Sequence, residues 1–139
     1  MQVVLALDAG TTSVRTLAVD PSGAILALSQ QEFTQFYPEP GLIEHDPEEI
    51  WLAAASTLKD VSQQVEEMGH DIVCIGITNQ RETSVIWDQD SGKPLHNAIV
   101  WQDRRTTERC QELFELGHLS EIRSKTGLVL DPYFSASKF

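Results

Sequence analysis

Apolar positions along the chain follow two periods, and the switches between them divide it into elements. Residues 3–7 (Val-Val-Leu-Ala-Leu) form a short apolar run that stops at Asp8 and a turn rich in Gly and Thr, the pattern of a buried strand. Residues 14–20 and 24–32 follow, separated by Pro21-Ser22-Gly23. Three strands joined by tight turns predict an antiparallel meander, and such turns leave no room for the helical crossover of a dinucleotide-binding βαβ unit. Residues 34–44, with Pro38, Pro40 and Gly41, read as a loop.

A helix is predicted next. Asp46 stands as N-cap, Pro47 as first helical residue and Glu49 as the returning carboxylate of a capping box. Ile50, Ala54, Leu58, Val61, Val65 and Met68 step by three and four as one apolar stripe, with Trp51 read as core beside it and Gly69 as the stop. Residues 72–77 read as a second buried strand, parallel to the first because a helix joins the two. Residues 84–87 and 97–101 flank a turn at 88–94 as a hairpin. Helical periods return over 106–116, stopped by Gly117, and over 119–125, and residues 132–139 read as the opening of another helix. The expected class is α/β.

Composition narrows the partners. Ten basic against twenty-one acidic residues leave a net charge of −11 in 139 residues, with no basic stripe for nucleic acid or an anionic membrane surface. The first apolar run is too short for a signal peptide or a membrane span. Cys74 and Cys110 lie far apart and outside any metal-ligand spacing; Cys74 reads as a buried small hydrophobe, and two such thiols suit a reducing compartment. His45, His70, His96 and His118 are scattered, with no pair at ligand spacing.

Two segments carry candidate chemistry. In Asp8-Ala-Gly10-Thr11-Thr12-Ser13, Gly10 allows close approach of backbone N–H groups to a phosphate and the three hydroxyls supply donors. Asp8 at the strand end suits a magnesium ion held through water, and Arg15 would add positive charge near a transferring phosphoryl group. The same residues also suit a plain hairpin turn. In Gly76-Ile-Thr-Asn-Gln-Arg81-Glu82-Thr83, a guanidinium beside a carboxylate satisfies neighbouring hydroxyls from both sides, as a polyol requires, although an exposed ion pair is equally compatible. Trp101 offers a face for the C–H side of a polyol or, equally, a core ring. Asp103, Asp131 and Glu82 are the carboxylates available as a base, and none sits in a context that marks it as one. A P-loop lysine, a nucleophile elbow and a dinucleotide fingerprint are all absent.

These segments, taken with Tyr37-Pro-Glu-Pro-Gly41, Glu44-His-Asp-Pro47 with Trp51, Asn97-Ala-Ile-Val-Trp-Gln102 and Thr126-Gly-Leu-Val-Leu-Asp-Pro-Tyr-Phe-Ser135, resemble the glycerol kinases in order and over almost the whole chain. The Ile-Thr-Asn-Gln-Arg-Glu-Thr block is specific to them; the Asp-x-Gly-Thr loop is shared with sugar kinases, hexokinase, actin and Hsp70-type ATPases. The resemblance implies phosphoryl transfer from ATP to glycerol with magnesium, in a cytoplasmic protein that is a homo-oligomer at full length. Arg81, Glu82 and Tyr133 would bind the glycerol hydroxyls, with Trp101 along the carbon chain. Gly10, Thr11, Thr12, Ser13 and Arg15 would face the nucleotide phosphates, with Asp8 near the metal. The implied fold is the actin-like (ribonuclease H-like) ATPase domain, a mixed sheet with flanking helices.

Two departures stand out. Ala9 occupies a position where glycerol kinases carry glutamine. The family's catalytic aspartate and adenosine pocket also match nothing up to Phe139, so residues 1–139 are expected to be the N-terminal portion of the first of two such domains and inactive alone. Competing readings are a kinase for another polyol or sugar, told apart by a substrate panel, and a non-catalytic polyol- or nucleotide-binding module, told apart by binding without turnover.

Overall fold

The computed structural model describes all of residues 1–139, which divide into two units, one formed by Met1–Thr34 with Asp46–Gln80 and the other by Gln35–His45 with Arg81–Phe139.

In the first unit the meander is β1 (Gln2–Ala9), β2 (Ser13–Val19) and β3 (Ile25–Glu32), and the later strand is β5 (Asp71–Thr78). The sheet order is β3-β2-β1-β5, with β1 antiparallel to β2 and parallel to β5. Alternation explains the core. Val3, Leu5 and Leu7 of β1, Val14 and Ala18 of β2 and Ala27 of β3 are buried on one face. Helix α1 (Pro47–Glu67) covers that face, contributing Ala53, Ala54, Val61 and Val65. One buried polar contact crosses the layer: the Thr16 hydroxyl donates to the Thr57 hydroxyl at 2.9 Å, and that hydroxyl donates to the Ala54 carbonyl.

Four details depart from expectation. The Asp46 carboxylate caps Glu48 N–H, but Glu49 does not return to close a capping box; its carboxylate accepts instead from Thr34 N–H at 2.7 Å and anchors the exit of β3. Trp51 is 64% exposed and Met68 also faces outward, because the buried stripe runs through Ala53 and Thr57, about 200° from Trp51 around the helix, and ends at Val65. The strand β5 is not buried. It is an edge strand with only β1 as neighbour, α1 lies chiefly on β2 and β3, and Val73, Cys74, Ile75 and Ile77 are exposed.

In the second unit the segment expected as loop, 34–44, runs at its last residue into β4 (Glu44–His45), paired antiparallel with β6 (Ala98–Ile99). Bridges Ser84↔Ile99 and Trp87↔Pro94 make the predicted hairpin, with Gly92 in the left-handed region at its tip. Helices α2 (Thr107–Glu115) and α3 (Leu119–Thr126) follow, with Gly117 and Gly127 left-handed behind them. The last expected helix is only a 3₁₀ turn over Ser135–Ser137. Cys110 of α2 is buried.

The Thr16–Thr57 contact generates a stability test. Thr57→Val leaves a buried hydroxyl unpaired and is expected to cost about 1–3 kcal/mol in urea unfolding. Because the two groups share one bond, Thr16→Val with Thr57→Val should cost less than the sum of the single changes. Strict additivity would show that the bond contributes nothing.

Candidate functional site

The first unit presents the loop between β1 and β2. Gly10 N–H donates to the Ser13 carbonyl at 3.0 Å, and a Cβ on Gly10 would lie 3.1 Å from that oxygen, so a side chain there would have to push the loop open. Thr11, Thr12 and Ser13 follow, with Thr12 exposed and the Ser13 hydroxyl accepting from Gln30 Nε2. Pairing of β1 with β2 sets Asp8 opposite Arg15 on the face away from α1, and Arg15 Nη2 donates to Asp8 Oδ2 at 2.7 Å. The expected metal ligand and the expected phosphate cation thus neutralise one another here. An exposed pair of this kind is worth little and opens readily for a stronger ligand. A single carboxylate suits magnesium, which keeps most of its water and takes its other ligands from phosphate.

The second unit assembles the polyol candidates. Glu82 is the sole non-glycine residue with a positive φ, 65°. Its carboxylate is fixed through Oε2, which accepts from the Ser135 hydroxyl at 2.7 Å and the Ser135 N–H at 2.8 Å, leaving Oε1 without a protein donor. Those two Ser135 bonds hold the Glu82 carboxyl below the usual range, with Lys138 and Arg81 adding positive charge against a small opposing effect of burial. Trp101 meets Tyr133 edge to face at 5.6 Å, and Tyr133 meets Phe134 likewise at 5.0 Å. Asp131 aligns Tyr133 by accepting its N–H at 2.8 Å while pairing with Arg104. Glu82, Trp101 and Tyr133 therefore share one framework. Arg81 stands exposed next to Glu82 on the same turn.

Beneath them lies a network that sequence reading did not assemble. Asp103 is fully buried, its carboxylate accepting from Ile43 N–H, from Arg105 N–H and from Arg105 Nε and Nη2 at 2.7–3.0 Å. Arg105 Nη2 also reaches Glu44 Oε1 at 2.7 Å. Burial, the largest single effect on each, pushes the Asp103 and Glu44 carboxyls up, but the Arg105 bonds, with Ile43 N–H on Asp103 and Asn97 on Glu44, together hold both below their ordinary values. The run Gln102-Asp103-Arg104-Arg105 carried the signal, charges of both signs beside an apolar strand. Ser135 and Lys138 carried none.

A model of the FGGY family of carbohydrate kinases, N-terminal domain, matches residues 3–139. The chain belongs to that family. Among relatives of the FGGY chain, a glycerol kinase of Trichlorobacter lovleyi is 54% identical over 138 residues, 99% of this chain and 28% of the relative. A glycerol kinase of Shigella flexneri is 53% identical over 135 residues, 97% of this chain and 27% of its own length. Among solved structures, Plasmodium falciparum glycerol kinase with ADP superposes with a TM-score of 0.92 at 38% identity, covering 99% of this chain and 28% of that one. A Lactobacillus acidophilus xylulose kinase superposes at 0.90 with 23% identity, covering 99% and 27%, a likeness of fold alone. The chain thus spans little more than a quarter of the length of these relatives.

Each of the three carboxylates considered as a base has protein partners in this FGGY domain. Asp103 is sealed and saturated, Asp131 is committed to Arg104 and Tyr133, and Glu82 is held ionised by Ser135. A depressed pKa makes a weak proton acceptor.

The buried network predicts a pH response. With folded values below the ordinary 3.8 and 4.5, the stabilisation by Asp103 and Glu44 is complete above the carboxylate range and lost as pH falls through their depressed values. Urea midpoints should hold steady down to about pH 5 and drop below about pH 4. Asp103→Asn should cost about 3 kcal/mol at neutral pH and flatten the acid slope. An unchanged slope would contradict this assignment.

Proposed function

We propose that these residues are the N-terminal portion of the first actin-like domain of a glycerol kinase, and that the full-length protein transfers the γ-phosphoryl group of ATP to glycerol, giving glycerol 3-phosphate. The observation that carries this reading is the framework holding Glu82, Trp101 and Tyr133 together with Arg81 on the adjoining turn, in a chain 50–54% identical to several glycerol kinases. The aromatic pair supplies an apolar wall for carbon-bound hydrogens. Glu82 Oε1 accepts from one hydroxyl, and Arg81 donates in fork geometry to its neighbours. Selectivity follows because a ligand that covers Glu82 Oε1 without donating to it leaves that oxygen unpaired.

The loop 8–13 supports the nucleotide side of the same reading. Gly10 lets phosphate oxygens approach the backbone, the Thr11, Thr12 and Ser13 hydroxyls donate, and Arg15 turns from Asp8 towards the added negative charge. Magnesium, bound through water at Asp8, would neutralise charge on the phosphates. Phosphoryl transfer depends largely on such positioning and electrostatics. The proton of the attacking hydroxyl is assigned to no base among residues 1–139.

Arg81→Ala in the full-length gene product is expected to raise the glycerol KM by at least about tenfold, the cost of a charge-assisted hydrogen bond, with the ATP KM little changed. Steady-state ADP release with varied glycerol, and a panel of xylulose, gluconate and glycerol, provides the measurement. A preference for another acceptor, or a silent Arg81→Ala, would refute the assignment.

A further inference from the structure

Lys138, at the end of the 3₁₀ turn, directs its ammonium inward rather than to solvent. Its Nζ donates to the carbonyls of Glu82 at 3.2 Å, Val100 at 3.4 Å and Tyr133 at 3.3 Å. An ammonium has three donors and no acceptor, so all three are spent on backbone oxygens from three separate segments. Two of those oxygens belong to residues of the polyol framework, Glu82 and Tyr133, and the third belongs to the residue preceding Trp101. The same short segment supplies Ser135, which fixes Glu82 Oε2 with its hydroxyl and its N–H.

We propose that Lys138 and Ser135 are the positioning residues of the polyol site, the lysine clamping the backbones that carry Glu82, Trp101 and Tyr133, and the serine aiming Glu82 Oε1 at the ligand. This rests on the reading of that framework as a polyol grip.

Three facts make the clamp more than a turn closure. Glu82 sits in a left-handed conformation unfavourable for a residue with a Cβ, and both its carbonyl and its carboxylate are tied to residues 135–138, which hold it there. All protein hydrogen bonds to the carboxylate fall on one oxygen, which leaves the other oriented and unspent. Burial pulls the Lys138 ammonium below its usual range, while the Asp103 and Glu82 carboxylates work against that and Arg105 adds to it. A shorter or uncharged side chain would release three carbonyls at once and let the grip residues drift independently.

The test is kinetic and uses the full-length gene product. Lys138→Met keeps the apolar stem and removes the donors, and should raise the glycerol KM about ten- to a hundredfold with the ATP KM within about twofold. Ser135→Ala removes one hydroxyl and should raise the glycerol KM about three- to tenfold, again without moving the ATP KM. Arg81→Ala is measured alongside. An Arg81→Ala effect on glycerol together with wild-type glycerol KM in Lys138→Met and Ser135→Ala would overturn this inference alone. A parallel rise in both substrate constants would also overturn it, since a general structural role moves both. If Lys138→Met fails to fold, Ser135→Ala decides, and an unchanged glycerol KM there is the refuting result. Absence of glycerol-dependent turnover in the wild-type protein, or a silent Arg81→Ala, would overturn the grip reading and this inference with it.

Discussion

A carboxylate stripped of water organises the second unit. Asp103 has no solvent contact, and an ionised carboxylate there is tolerable only because four donors surround it. Those donors come from two places in the chain: Ile43, just before β4, and Arg105, just after the turn behind β6. Arg105 neutralises the charge, and the Ile43 N–H bond ties the residue before β4 to the segment after β6, helped by Val100 N–H on the Ile43 carbonyl and Arg104 N–H on the Gly41 carbonyl. Arg105 extends the link to Glu44, whose second oxygen accepts from Asn97 Nδ2. Without that ionic core, two strands of two residues each would have little to hold them. With it, the 100–105 segment becomes a fixed base on which Trp101 stands.

On that base the functional side chains are held by their backbones. Trp101 N–H donates to the Thr83 hydroxyl, Tyr133 N–H to Asp131, and Ser135 captures Glu82. The Trp101 and Glu82 bonds join distant segments, while Tyr133 is set by a local turn at Asp131 and by its contact with Trp101. Arg81 differs: it lies exposed on the turn, its reach set by the strained residue beside it. A long, hydrated cation is well suited to meeting a small ligand last, since its ordering cost is incurred only on binding.

The sequence made the first unit readable because that unit is built from local rules. Period two gave β1 to β3, period 3.6 with Asp46 and Pro47 gave α1, and a helical connection implied the parallel β5. Its errors concern what surrounds an element. Ile75, Ile77 and Cys74 are apolar yet exposed because α1 lies chiefly on β2 and β3 and leaves β5 uncovered, and Trp51 is exposed because its helical angle misses the buried stripe. Glu49 found Thr34, fifteen residues away, in place of the near N-cap. In the second unit the hairpin at Gly92 and the two helices, the first stopped by Gly117, were legible, but the ties between segments were not, because bonds such as Ile43 N–H to Asp103 and Arg105 to Glu44 span about sixty residues. Motif reading singled out Arg81, Glu82, Trp101 and Tyr133 as candidates. It could not find Lys138, whose role lies in three carbonyls that no sequence pattern encodes.

Fold and chemistry separate cleanly in this family. The xylulose kinase superposes on this chain almost as well as the Plasmodium glycerol kinase does, at 0.90 against 0.92, while identity falls from 38% to 23%. A likeness of fold does not identify a ligand, so ligand chemistry is read from the side chains placed upon it. In the first unit those side chains are generic: a glycine, three hydroxyls and one ion pair suit any nucleoside triphosphate. In the second they are particular. On the reading proposed above, a carboxylate with one oxygen committed and one unspent, an adjacent guanidinium and a paired tryptophan and tyrosine match a ligand that is small, rich in hydroxyls and bears C–H faces along its carbon chain. A charged acceptor would leave either Arg81 or Glu82 opposed by its own sign, and a purely apolar one would bury Glu82 Oε1 without a donor. The physical case for a neutral polyol therefore rests on the cost of the alternatives as much as on the bonds it would make.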